Sequence, residues 1–325
     1  MANIVVTGGA GFIASHLCDR LLADGYSVVC IDNLCTGARD NVSHLEGHPG
    51  FTFIEADVSK PVDWPDQVDY VFHLASPASP VAYSRIPIET ATANAIGTHQ
   101  ALELSLRLGA RFLLSSTSEV YGDPLVHPQT ESYWGNVNPV GPRACYDEGK
   151  RFAEALAISY FRAHSLDVRI VRIFNTYGPR SLPEDGRMVP NFIRQALQGE
   201  PLTVYGDGSQ TRSLCYVDDL VEGLTRVMFA SSGQGEVFNL GSPDEHTVKE
   251  YALLIRDLCR SASEIQWLPG RDEEPVRRRP DITKIAKWFD WAPKTPLRQG
   301  LESTVAWFRE RLSIPEPVHE TTTAE

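Results

Sequence analysis

Tyr146 and Lys150 stand four residues apart in the helix-like stretch Ala144-Cys-Tyr-Asp-Glu-Gly-Lys-Arg-Phe-Ala-Glu154. On a helix that spacing puts both side chains on one face. A phenol with its usual pKa near 10 is a weak base at neutral pH. A neighbouring ammonium and the positive ring of an oxidised nicotinamide would stabilise the phenolate and lower that value. Such a pair can take the proton of an alcohol while a hydride leaves the same carbon. Y-x-x-x-K alone occurs in many helices that do no chemistry. Its weight here comes from Ser115-Ser-Thr-Ser-Glu-Val-Tyr-Gly122 upstream, where the Thr117 hydroxyl can bond the alcohol that loses its proton.

A departing hydride needs an acceptor, and the N-terminus offers a place for one. A strand pattern ends in Thr7-Gly-Gly-Ala-Gly-Phe-Ile-Ala14 and a helix follows. Glycines there let the backbone approach a pyrophosphate, and the helix start supplies amide N–H groups and a positive dipole end. Ala14 stands where the third glycine of the usual spacing falls, as the next smallest residue for close helix–strand packing. The second strand ends in Ile31-Asp-Asn33. An acidic side chain there bonds both ribose hydroxyls and repels a 2′-phosphate, so Asp32 argues for NAD over NADP. Asp57 and Val58, just past the third strand, are placed to meet an adenine. The expected NAD set is Gly8, Gly11, Phe12, Ile13, Asp32, Asn33, Thr36, Gly37, Asp57, Val58 and Leu74, with Tyr146 and Lys150 shared with the chemistry.

These groups need a frame. Short apolar runs at Ile4–Val6, Val28–Ile31, Phe51–Ile54, Tyr70–Leu74, Phe112–Leu114 and Val168–Ile173 alternate with helix-length segments. That pattern predicts an α/β fold, a doubly wound parallel sheet (Rossmann fold) covered on both faces. Beyond Gly178 proline and glycine become frequent, which predicts a smaller substrate-binding lobe. Val237–Leu240 reads as one more buried strand, and Val248–Leu258 and Leu301–Phe308 have helical spacing. The division expected is 1–178 plus about 213–246 for the NAD domain, about 179–212 plus 247–312 for the lobe, and 313–325 as a flexible tail.

Composition narrows the partners. A formal net charge of −12 over 325 residues leaves no basic surface for nucleic acid. A few local arginines can still hold an anionic substrate. The six cysteines are scattered without C-x-x-C, and the nine histidines show no metal-binding spacing, so no metal site is expected. No apolar run reaches the roughly 18 residues of a membrane span, and no basic leader precedes the first strand. The sequence reads as cytoplasmic, without nucleic-acid or membrane partners.

Gly8–Ala14, Thr117, Tyr146 and Lys150 together resemble the extended short-chain dehydrogenases/reductases. Longer strings resemble one family among them, the UDP-glucuronate decarboxylases (UDP-xylose synthases). They are His73-Leu-Ala-Ser-Pro-Ala-Ser79, Ser116-Thr-Ser-Glu-Val-Tyr-Gly-Asp-Pro124, Asn138-Pro-Val-Gly-Pro-Arg-Ala-Cys-Tyr-Asp-Glu-Gly-Lys-Arg151, Ile173-Phe-Asn-Thr-Tyr-Gly-Pro-Arg180 and Leu202-Thr-Val-Tyr-Gly-Asp-Gly-Ser-Gln-Thr-Arg212. The likeness runs to about Arg309. It implies Thr117, Glu119, Tyr146 and Lys150 as catalytic groups. It implies Ser118, Asn175, Tyr205, Gln210, Arg212 and Arg278 around a UDP-sugar, with Arg212 and Asn175 at the diphosphate, Tyr205 by the uracil and Arg278 near the carboxylate or phosphates. Without the resemblance, Arg277-Arg278-Arg279 reads as a solvated charge run. It also implies a homodimer built on the stretch Thr90–Leu108 and the Tyr146 helix.

Related 4,6-dehydratases carry Thr-Asp-Glu where this chain has Thr117-Ser118-Glu119. A serine hydroxyl lies far from the pKa range of a useful general acid, so loss of a 6-hydroxyl is disfavoured. The implied reaction converts UDP-glucuronate to UDP-xylose and CO2: oxidation at C4, loss of CO2 from the β-keto acid, and reduction by the same cofactor. Glu119 is expected to position the sugar or a water that protonates C5. A UDP-sugar 4-epimerase, a sugar-nucleotide 4,6-dehydratase and a catalytically silent NAD-binding sensor are the alternatives. One departure stands out: relatives have lysine where this chain has Thr92, ahead of Ala93-Asn94, and that lysine is implied to reach the substrate.

Overall fold

Strands apolar almost throughout must be covered on both faces, which parallel strands achieve through helical crossovers. The computed structural model describes residues 2–270 and 277–315. Its strands are β1 (Asn3–Thr7), β2 (Ser27–Asp32), β3 (Phe51–Glu55), β4 (Tyr70–His73), β5 (Arg111–Thr117), β6 (Val168–Ile173), β7 (Thr176–Tyr177), β8 (Leu202–Tyr205), β9 (Thr211–Ser213), β10 (Cys215–Tyr216), β11 (Val237–Leu240), β12 (Glu245–Thr247), β13 (Ile265–Leu268) and β14 (Arg277–Arg278). Its helices are α1 (Phe12–Ala23), α2 (Pro80–Arg85), α3 (Pro87–Thr92), α4 (Thr98–Leu108), α5 (Ala144–His164), α6 (Met188–Gln198), α7 (Val217–Phe229), α8 (Val248–Leu258), α9 (Thr283–Phe289) and α10 (Leu297–Arg311).

Seven parallel strands lie in the order β11-β6-β5-β4-β1-β2-β3, the doubly wound Rossmann sheet expected from the sequence. The winding reverses between β1 and β4, and a crevice opens there beyond the carboxyl ends of the strands. One face is covered by α1 and α7, through Leu17, Leu21, Leu220 and Leu224, and the other by α4 and α5, through Leu102, Ala153 and Ala157. Each leucine removed from water in this way contributes about 1.5–3 kcal/mol. A third core joins α6, α8 and α10 through Phe192, Tyr251 and Phe308. Beside it β8 pairs with β13, and β9 lies between β12 and β14.

Strand β5 extends beyond its apolar run of Phe112–Leu114, because Ser115, Ser116 and Thr117 continue the pairing with β6 up to Ile173. Their polarity is accommodated where they are buried: the Ser116 hydroxyl donates to Glu154 at 2.6 Å, and Lys150 donates to the Ser115 carbonyl at 2.8 Å. The helical stretch expected over Thr90–Leu108 is continuous but opens into a wider π turn at Ala93–Gly97. Of the expected tail, residues 316–325 lie outside the described residues. Among the described residues no helix is long and apolar enough to cross a membrane.

Candidate active site

Every residue singled out above as catalytic, cofactor-binding or substrate-binding lines one cleft of about 850 Å³ at the carboxyl ends of the central strands. On the β1 side, Gly8 takes φ +70°, and a Cβ on it would stand 2.8 Å from the Ala75 backbone. Gly11 precedes α1, whose start has no side-chain cap and no acidic residue in its first turn. Those first-turn amides and the positive dipole end are therefore available to an anion. Asp32 ends β2 and accepts from the amides of Ala10 at 3.0 Å and Leu34 at 2.8 Å. Burial raises its carboxyl, and these two amides pull the other way. A Cβ on Gly37 would come within 2.9 Å of the Asp32 carboxylate, so the chain packs there only without a side chain. The narrow glycine turn, the uncapped helix and the buried acid fit a dinucleotide with free ribose hydroxyls.

At the centre, Tyr146 lies in the first turn of α5 and is 5 % exposed. Burial pushes its phenol up to about 12, with the Thr117 hydroxyl bond opposing. Lys150, one turn later, is pushed down to about 7 by burial, with Glu154 opposing, and its ammonium donates to the Ser115 carbonyl. In the protein by itself desolvation disfavours both charged forms, the phenolate and the ammonium. His73, at the end of β4, lies between the hydroxyls of Thr7 at 2.8 Å and Thr98 at 3.2 Å, and burial holds it near 3, so it is neutral.

The residues expected around the substrate arrive from distant segments. Arg278 is 6 % exposed, so the solvated-run reading does not hold for it, whereas its neighbour Arg277 is exposed. Its guanidinium grips Glu119 with both Nη atoms, the Nη2–Oε2 contact measuring 2.9 Å. Arg143 reaches the same carboxylate from the start of α5. Glu119 is thus held between two arginines. Arg212 is buried with Nη1 on the Thr211 carbonyl at 2.8 Å. The Gln210 side-chain nitrogen donates to the Tyr205 carbonyl at 3.0 Å, leaving its buried Oε1 without a hydrogen-bond partner. Ser118 is buried in the turn after β5, and Asn175 lies beyond β6.

Three cleft residues carry no role in the sequence reading. Tyr83 stacks on Tyr146 with ring centroids 5.3 Å apart and planes 8° from parallel. Arg143 lies three residues before Tyr146 inside a string that was read for its tyrosine. Arg187 pairs with Asp185 and stands close enough to Tyr146 for each to feel the other's charge. Only Arg143 had an available signal: a cation at a helix start runs against the dipole and calls for a local counter-charge.

Residues 4–241 match the family described as "NAD dependent epimerase/dehydratase family". The chain is 52 % identical over 322 residues to "UDP-glucuronic acid decarboxylase 1" of Danio rerio, covering 97 % of this chain and 76 % of that one. It is 52 % identical over 325 residues to "UDP-glucuronic acid decarboxylase 4" of Arabidopsis thaliana, covering 99 % and 72 %. Among solved structures it superposes on the UDP-glucuronic acid 4-epimerase of Bacillus cereus, in complex with UDP-glucuronic acid and NAD. That match has a TM-score of 0.85 at 30 % identity, over 95 % of this chain and 99 % of that one. A dTDP-glucose 4,6-dehydratase from Streptomyces venezuelae with NAD bound gives 0.87 at 30 % identity, over 96 % and 98 %.

Proposed function

The chain belongs to the NAD-dependent epimerase/dehydratase family, among its UDP-glucuronic acid decarboxylases, and from that premise we propose that it converts UDP-glucuronate to UDP-xylose and CO2. NAD, when bound, supplies the hydride acceptor for C4 and the hydride that returns there at the end. Gly8, Gly11, Phe12, Ile13, Asp32, Asn33, Thr36, Gly37, Asp57, Val58 and Leu74 are assigned to holding it along the β1–β3 side of the cleft. The Tyr146 phenolate takes the C4 hydroxyl proton, and the Thr117 hydroxyl orients that oxygen. The product is a 4-keto sugar with a carboxylate on C5, a β-keto acid. It releases CO2 because the electron pair left at C5 spreads into the ketone. Hydrogen bonds from Thr117 and from the now protonated Tyr146 stabilise the enolate oxygen. Lys150 holds the positive end that favours the phenolate at the start of each cycle.

Arg278 and Arg143 supply positive charge on the carboxylate side, and Glu119 between them positions the sugar or the water that protonates C5. Arg212 and Asn175 take the diphosphate, Arg212 with the planar fork that suits phosphate oxygens. Tyr205 flanks the uracil, and the open Gln210 Oε1 accepts from the nucleoside. Ser118 forms the wall beside Thr117. The domains we propose are 1–178 with about 213–246 for NAD and about 179–212 with 247–312 for the nucleotide sugar, with Ser118, Glu119, Arg143 and Asn175 meeting the substrate from the NAD domain. We also place the protein in the cytoplasm as a homodimer. Ile96, in the π turn before α4, and Phe152 on α5 are 46 % and 51 % exposed and give that pairing an apolar surface.

The observation that carries the reading is the cleft's set of groups. Tyr146, Lys150 and Thr117 meet two arginines, and serine rather than an acid stands at position 118. A proton NMR time course with UDP-glucuronate and catalytic NAD⁺ tests it. UDP-xylose should form without net NADH, and Tyr146→Phe should slow it about 10²- to 10⁴-fold. Unchanged UDP-glucuronate, or epimerisation at C4 without CO2, would sink the proposal.

A further inference from the structure

Arg143 stands where a cation is electrostatically disfavoured. It precedes Ala144 at the start of α5, and its carbonyl accepts from the amides of Tyr146 and Asp147 at 3.0 Å each. A positive side chain beside the positive end of a helix is disfavoured unless something opposes it. Here two carboxylates do. Nη2 donates to Glu119. Nε, buried and without a hydrogen-bond partner, faces the Asp147 carboxylate at 3.7 Å. The guanidinium also stands near enough to Tyr83 for its charge to oppose the rise that burial gives that phenol, and the Tyr83 ring, 2 % exposed, lies flat on Tyr146.

One guanidinium therefore grips the carboxylate just past β5 and stands beside the tyrosine that backs the phenol, while its own backbone begins the helix that carries that phenol. We propose that Arg143 is a positioning residue that sets the separation between Glu119 and Tyr146 across the sugar ring. The inference rests on the decarboxylase reading, in which Tyr146 works at O4 and Glu119 on the C5 side within one turnover. Two groups serving adjacent carbons must be held in register. A misplacement of about 1 Å at such a site costs about 10²-fold in rate. Arg278 holds the same Glu119 carboxylate from the other side with both Nη atoms.

The experiment compares NAD-loaded wild type, Arg143→Lys, Tyr83→Phe and the double variant on UDP-glucuronate, reading CO2 release and NADH absorbance together. Arg143→Lys keeps the charge and loses the fork. It should lower kcat about 10²-fold with KM within about threefold. The steady-state fraction of bound NADH should rise, because the steps after C4 oxidation lose their aligned carboxylate. Tyr83→Phe keeps the stack and removes only the hydroxyl, for a loss of about tenfold. The double variant should be within about twofold of Arg143→Lys, since both changes cut the same link.

A KM raised more than about tenfold at unchanged kcat would make Arg143 a substrate anchor and overturn the proposal. So would full activity in Arg143→Lys, or losses that multiply in the double variant. If Arg143→Lys does not fold, Tyr83→Phe decides alone, and wild-type kcat there overturns it. Wild type that releases no CO2 removes the decarboxylase reading instead. The same kcat ratios are then read on NADH formation with UDP-glucose, where equal rates for all four proteins count against Arg143.

Discussion

The two halves of the cleft are built from different materials. On the β1–β3 side the surface is mostly backbone: the glycine turn at Gly8, the uncapped start of α1, and Asp32 held by two amides. On the other side it is mostly charged side chains that hold one another, with Glu119 between Arg143 and Arg278 and Arg187 on Asp185. Backbone geometry is fixed when the chain folds, so the first half is preorganised for its ligand. Paired side chains must exchange partners when an anionic sugar nucleotide enters, so the second half trades some of its internal pairing for substrate contacts. The first half should therefore fail through fold and cofactor retention, and the second through turnover.

The largest effect expected from that contrast is on the backbone side. In Gly8→Val the residue would keep a φ of +70° and drive its Cβ to 2.8 Å from the Ala75 backbone. Backbone strain of about 1–3 kcal/mol and overpacking of similar size together weaken NAD retention about 10³-fold, at 1.4 kcal/mol per factor of ten. Gel filtration followed by an absorbance scan of retained cofactor measures it, and normal retention would mean that the turn is not the phosphate cradle. Next is Arg278→Ala on the side-chain half. NAD retention should stay normal while kcat/KM for UDP-glucuronate falls about 10²-fold, as for loss of one electrostatic donor in a closed site. Unchanged kcat and KM would remove Arg278 from the substrate side.

The same contrast explains what could be read before the structure. A backbone-built site is written in contiguous residues, so Gly8, Gly11 and Asp32 follow from local spacing and strand ends. The strand bounds of β6 and β11 follow from apolarity for the same reason. β5 runs past its apolar residues into a hydroxylic end, where Lys150 and Glu154 on α5 bond Ser115 and Ser116 and Thr117 accepts from the Glu119 amide. Arg278 and Glu119 are 159 positions apart in sequence, and nothing local couples them. Resemblance placed Arg278 by the substrate. It gave no sign that its guanidinium grips Glu119, or that Tyr83 lies on Tyr146.

Lys150 sits on the seam, and its titration gives a third test, of smaller size. In the folded protein burial holds it near 7, whereas in the unfolded chain it keeps its proton to about 10.5. Between those values the unfolded state binds more protons, so the Lys150 contribution makes stability rise with pH through that window. Relative to Lys150→Met, cofactor-free wild type should gain about 2 kcal/mol between pH 7 and pH 9. Buried thiols and phenols with raised pKa values act in the opposite direction above about pH 9, but they are common to both proteins and cancel in the difference. Urea unfolding at the two pH values measures it, and parallel pH dependences would show that Lys150 is solvated in the cofactor-free protein.

The smallest effect sharpens the contrast at the rim of the side-chain half. Thr92 ends α3 with its hydroxyl on the Glu89 carbonyl at 3.1 Å, and Glu89 and Ala93 beside it line the cleft. The resemblance puts a lysine at position 92 in relatives. A lysine stem is long enough to bring an ammonium from this helix toward the cleft, where it would meet the substrate carboxylate in partly screened surroundings. An exposed pair of that kind is worth about 0.2–1 kcal/mol, which is a fall in KM of up to about fivefold. Thr92→Lys should show that fall for UDP-glucuronate at unchanged kcat, and it should shrink as salt rises because the Debye length contracts. An unchanged KM at low salt would mean that Arg143 and Arg278 already saturate the need for positive charge. In that case the interior arginines, rather than the rim, set how tightly the carboxylate is held.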